Sequence, residues 1–115
     1  MQIFLGPAGI PISAKGGTKE GIKKVKELGL HAMEVEFTHG VNMKNELARE
    51  VSQVREETGI KLSVHAPYFI NLASQDPEKI KASKQRILQS CERAHYMGAS
   101  PVVFHPGYYG KYTPQ

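Results

Sequence analysis

Two apolar runs in this chain each end in a histidine, Lys61-Leu-Ser-Val-His65 and Pro101-Val-Val-Phe-His105, and each histidine leads into a proline-bearing turn. If the runs are neighbouring parallel strands, the two imidazoles stand one strand spacing apart, roughly 5 Å. They would then lie at the carboxyl ends of the strands, where parallel α/β sheets build their sites. Neutral imidazole is a ligand for zinc and similar ions. The spacing therefore predicts that His65 and His105 help to hold one divalent metal ion or a pair of them. Two nitrogens leave a coordination shell incomplete, and a carboxylate is the usual complement. Glu34 and Glu36 offer one, because Met33, Val35 and Phe37 alternate with them and put both carboxylates on the opposite face of a strand. Glu36 is then either a further ligand or a polar residue of a packed barrel layer, paired with a lysine.

The segment after His65 is Tyr68-Phe69-Ile70-Asn71-Leu72. An apolar, aromatic stretch in a loop either packs or meets a ligand, and aromatic side chains beside such a site can stack on bases or wedge into a duplex. Packing over the sheet, with Phe69 and Leu72 as a small core, is the plainer expectation from composition. Of the remaining histidines, His39 falls in the loop after the second strand, on the same rim as His65. His31 opens that strand at its far end, and His95 suits a helix C-terminus, where the dipole favours a cation. Cys91 reads as a core residue. Tyr108, Tyr109 and Tyr112 form either a tail or a contact surface.

The elements that position these residues repeat as strand then helix. Strands are expected near 2–5, 31–37, 60–65 and 101–105. A first helix begins at the cap Thr18, carries Ile22, Val25 and Leu28 at helical spacing, and stops at Gly29. A second runs from Lys44 to Thr58 with Leu47, Val51, Val54 and Thr58 inward. A third is capped by Asp76, opened by Pro77 and lined by Ile80, Ile87, Cys91 and Ala94. Such alternation requires parallel pairing, in an open doubly wound sheet or a barrel. No Gly-x-Gly-x-x-Gly follows the first strand, which removes the dinucleotide fingerprint. Long loops follow the strands, whereas short glycine-capped turns at Gly29, Gly59 and Gly98 follow the helices. That asymmetry points to a (β/α)8 barrel with its site at one rim. A full barrel takes about 250 residues, so 115 residues correspond to a single partial domain, the first half, with about four strands and three helices.

Composition sets the remaining bounds. Hydrophobic residues make up 40% and charged residues 23%, which excludes disorder. No apolar run approaches the ~18–20 residues that cross a bilayer, and a cytoplasmic protein without membrane contact is expected. The lone Cys91 rules out an internal disulfide or a thiolate cluster within one chain. A net charge of +4 permits a polyanionic partner without demanding one.

Taken together, Ser63-Val-His65-Ala-Pro-Tyr68-Phe69-Ile70-Asn71-Leu72 and Phe104-His105-Pro106-Gly107 resemble the endonuclease IV family, within the xylose isomerase-like barrel group. The resemblance spans essentially the whole chain but only the first half of a family member. It implies a TIM-barrel enzyme that uses zinc to cut the DNA backbone at abasic sites. By position, His65 and His105 match two zinc ligands. Tyr68 and Phe69 match a pair inserted into DNA at the lesion, with phenylalanine in place of leucine. Bacterial members carry a histidine after the first strand, where this chain has Gly6-Pro7-Ala8-Gly9. They also carry an arginine in the next loop, where it has Thr38-His39-Gly40-Val41-Asn42. The other family ligands belong to later strands, so the site is expected to be incomplete in this chain. Two other readings fit: a sugar isomerase or epimerase of the same barrel group, which Glu36 suits better, and a non-catalytic half-barrel that self-associates through its open edges.

Overall fold

The computed structural model describes residues 1–110, and Tyr112 lies outside them. Helix α1 spans Thr18–Glu27, strand β1 Ala32–Glu36, helix α2 Asn45–Thr58, strand β2 Lys61–His65, helix α3 Pro77–Met97 and strand β3 Val102–Val103. The strands form one parallel sheet in the order β1-β2-β3.

The expected first strand is displaced. Residues 5–9, rather than 2–5, run alongside β1: Leu5 O accepts from Ala32 N (3.1 Å), Pro7 O accepts from Glu34 N (3.0 Å), and Gly9 N donates to Glu34 O (2.9 Å). Gly6-Pro7 reads as a stop signal, yet these residues lie within the pairing segment. Pro7 lacks the N–H that would complete the ladder, so only a parallel bridge at Ala8 and Glu34 remains. Glycine is required at position 6 by proximity, since a Cβ there would lie 1.6 Å from Ala32 O.

The fourth predicted strand also shortens, for a reason visible in the donors. Val64 N and Ala66 N donate to Pro101 O and Val103 O, but the next donor in phase, Tyr68 N, turns instead to Thr38 O. The ladder therefore ends at Val103, and His105 follows it in a loop.

The core lies on one face of the sheet. Met33, Val35, Phe37, Leu62 and Val64 bury against Ile22 and Val25 of α1, Ala48, Val51 and Val54 of α2, and Ala94 and Met97 of α3. The helices pack in order, α1 on α2 and α2 on α3. Residue 18 is the first residue of α1 rather than its cap. Gly17 caps instead, its N–H donating 2.9 Å to the Glu20 carboxylate. The α3 start is as expected, with the Asp76 carboxylate accepting from Glu78 N at 3.0 Å. Gly59 ends α2 at φ 73°, a left-handed conformation that glycine adopts without strain.

Several core assignments need correction. Leu28 and Leu47 are exposed, and Ala48 takes the inner position next to Leu47. Cys91 is exposed as well, because α3 buries Ser83, Ser90, Ala94 and Met97. Both serines are satisfied, Ser90 Oγ donating to Arg86 O (2.8 Å) and Ser83 Oγ accepting from Asn71 N (2.9 Å). A reading by hydropathy passes over buried hydroxyls of this kind. In the loop after β2 it is Ile70 that is buried, while Phe69 and Leu72 remain exposed.

Candidate functional site

The face of the sheet away from the helices carries the polar residues. Register pairs Glu34 with Ser63 and Glu36 with His65, and pairs His65 with Val103, two residues before His105. Partners in a parallel register point to the same side. Glu36, His65 and His105 thus project from one face at neighbouring strand ends.

The imidazoles of His65 and His105 meet with ring centroids 5.2 Å apart and planes inclined by 46°. His65 Nδ1 lies 2.8 Å from Ala66 O. A carbonyl oxygen can only accept, so Nδ1 carries the proton and Nε2 keeps its lone pair. An anchored Nδ1–H with a bare Nε2 is the arrangement of a metal-ligating histidine. His65 is half-buried and His105 exposed at the rim. The donor chemistry of the pair therefore fits a divalent metal. Among the described residues, no three of His, Cys, Asp and Glu are grouped closely enough to enclose one.

Tyr68 closes one side of the pair, its ring 5.7 Å from that of His65 and 6.4 Å from that of His105. The Phe69 ring lies beside Arg86 of α3. Arg86 donates to the Phe69 carbonyl oxygen (2.9 Å), and the guanidinium lies 5.9 Å from the ring centre. Buried Ile70 and the Asn71–Ser83 hydrogen bond pin the loop from beneath. Tyr68 and Phe69 are both 55% exposed. His39 is exposed on the loop after β1 and, among the described residues, joins no cluster of potential ligands.

Glu36 is half-buried, and its Oε1 is shielded without a hydrogen-bond partner. Burial, and after it the neighbouring Glu34 carboxyl, push its pKa from 4.5 up to about 7, against a smaller opposing pull from His65. No lysine pairs with it among the described residues. Glu34 and Glu36 border a hollow of about 410 Å³ that also meets Gly9, Thr18 and Asn42.

A parallel β/α array that gathers histidines at the carboxyl ends of its strands is the construction of a TIM-barrel enzyme. The model of the xylose isomerase-like TIM barrel family matches residues 22–115, and the chain belongs to that family. It is 39% identical over 111 residues to an uncharacterized Methanocaldococcus jannaschii protein, covering 96% of this chain and 39% of the relative. It is 32% identical over 108 residues to a probable endonuclease 4 of Halorhodospira halophila, covering 86% of this chain and 35% of the relative. The chain thus spans little more than a third of the length of these relatives.

Solved structures show the same fold. Endonuclease IV from Thermus thermophilus superposes with a TM-score of 0.69 at 24% identity, over 84% of this chain and 38% of that one. A second Thermus thermophilus protein, soaked with zinc chloride, gives 0.65 at 31% identity over 78% and 36%. A D-psicose 3-epimerase from Clostridium cellulolyticum gives 0.68 at 22% identity over 78% and 32%. What is described here is accordingly a portion of a barrel.

Proposed function

We propose that the complete protein is a zinc-dependent endonuclease of the endonuclease IV type that hydrolyses the DNA backbone at abasic sites. The observation that carries this reading is the His65–His105 pair, held 5.2 Å apart with the His65 Nε2 lone pair left bare. The relatives named endonuclease 4 and the zinc-soaked neighbour support it. His65 and His105 would hold part of the metal centre, with further ligands from the rest of the complete protein. When bound, zinc supplies Lewis acidity that polarises a phosphodiester and makes water nucleophilic at neutral pH. The chain's own residues do the positioning. The Ala66 carbonyl fixes the His65 ring and tautomer, Tyr68 walls the pair, and Tyr68 with Phe69 faces the DNA. The test is a zinc titration with a nicking assay on abasic duplex DNA using the complete protein. Tight zinc uptake with nicking at the lesion is expected, and absence of both overturns the reading.

Glu36 favours a second reading, a sugar epimerase or isomerase of the same barrel group. A shielded carboxyl with a pKa near neutrality is suited to proton abstraction beside a carbonyl. Its hollow of about 410 Å³ is of a size that accommodates a small ligand. Turnover of a ketose without DNA nicking would select it.

The 115-residue chain by itself is proposed to self-associate. Leu5 (61% exposed) and Val103 (42% exposed) lie on the two outer segments of the sheet, and no strand among the described residues covers either edge.

A further inference from the structure

A second concavity lies between the loop after β2, the N-terminal half of α3 and the segment after His105, and neither His65 nor His105 lines it. Its volume is about 760 Å³, within the range of small-ligand sites. Four aromatic side chains border it, and each keeps over half its surface exposed: Tyr68 and Phe69 at 55%, Tyr108 at 67% and Tyr109 at 59%. Rings with their faces free around one hollow offer stacking surfaces for a planar group. Lys79 and Arg86 stand on the α3 wall against one acid, Glu78, and neither cation is ion-paired among the described residues. Arg86 spends one N–H on the Phe69 carbonyl, and the guanidinium carries further donors in the same fork. Asn71, Ser74 and Gln75 add neutral hydrogen-bonding groups.

Flat π-faces beside unpaired cations match a ligand with an aromatic ring and a phosphate. We propose that this cleft binds a nucleotide of an unpaired nucleic-acid strand, its base stacked among Phe69, Tyr108 and Tyr109 and its phosphate met by Lys79 and Arg86. The proposal rests on the nucleic-acid reading above and adds a place for a base outside the histidine face. Stacking tolerates any base, since each has a π-face, so the cleft would hold a strand beside the lesion without reading its sequence. Tyr68, which borders both the histidine pair and the cleft, links the two.

The test titrates the metal-free complete protein with a short single-stranded oligodeoxyadenylate and separately with deoxyadenylate, following tyrosine fluorescence and anisotropy. Saturable binding of the oligonucleotide is expected, weakening as salt rises. Deoxyadenylate should compete for the same site more weakly. Tyr109→Ala should weaken oligonucleotide binding about tenfold, whereas Tyr109→Phe, which keeps the ring, should restore it. Lys79→Gln should flatten the salt dependence, and circular dichroism establishes that each variant is folded. No oligonucleotide binding, or equal affinity of folded Tyr109→Ala and the parent, overturns the proposal. Tighter binding of deoxyadenylate than of the oligonucleotide replaces the strand with a free nucleotide and overturns it too. Nicking of abasic duplex is scored independently. Nicking without strand binding refutes the cleft alone, and strand binding with neither zinc uptake nor nicking refutes the nuclease reading alone.

Discussion

In the proposed metal centre His65 would offer one lone pair, because its other nitrogen is occupied by the Ala66 carbonyl. Replacing either His65 or His105 with alanine in the complete protein should weaken zinc binding by roughly a hundredfold or more, measured by competition with a chromophoric chelator. Unchanged affinity in both variants would remove the pair from the metal centre. Glu36 makes a different prediction. Its carboxyl holds a proton in the folded chain until about pH 7 and releases it near 4.5 when unfolded. The folded state therefore binds more protons between those values, and the stability this group contributes is present below 4.5 and lost as pH rises through 7. Glu36→Gln mimics the protonated form. In metal-free protein it should raise the melting temperature at pH 8 and have little effect at pH 5, and equal shifts at both values would contradict the account. Burial sets most of this balance, with the Glu34 carboxyl adding to it and His65 opposing it.

At the level of elements, the loop after β2 depends on α3 for its shape. Ser83→Ala removes the acceptor for the Asn71 N–H (2.9 Å) from a buried position and should destabilise the chain by about 1–3 kcal/mol, read from the midpoint of urea unfolding. A loss within experimental error would show that the loop holds itself. The same contact explains what the sequence could reveal. Alternation in β1, the glycine stops after the helices and the Asp76-Pro77 start of α3 were legible, because each is a local rule with a local cause. The inward serines of α3 were not, since their burial depends on partners elsewhere, and hydropathy assigned Cys91 to the core instead. The displaced first segment was hidden similarly, because Gly6-Pro7 marks a break unless the Ala32 backbone is known to lie against it. The histidine pair could be read from two strand ends. The cleft beside Phe69 could not, since its walls come from three segments far apart in sequence.

For the molecule as a whole, the helix-covered face is finished and the opposite face is not. Ile3, Leu5 and Val103 remain exposed, and no strand among the described residues extends the sheet beyond residues 5–9 or β3. The isolated 115-residue chain should therefore elute as a dimer or larger species in size-exclusion chromatography with light scattering, and a monodisperse monomer would refute self-association. The two sides of β1 have a further implication. Met33, Val35 and Phe37 anchor the fold, whereas Glu34 and Glu36 touch none of that packing by parity. Natural selection can thus exchange one reaction for another along the outward row while leaving the anchoring row untouched. A nuclease and a sugar epimerase can share such an architecture because the residues that keep the chain folded are not those that choose what it transforms.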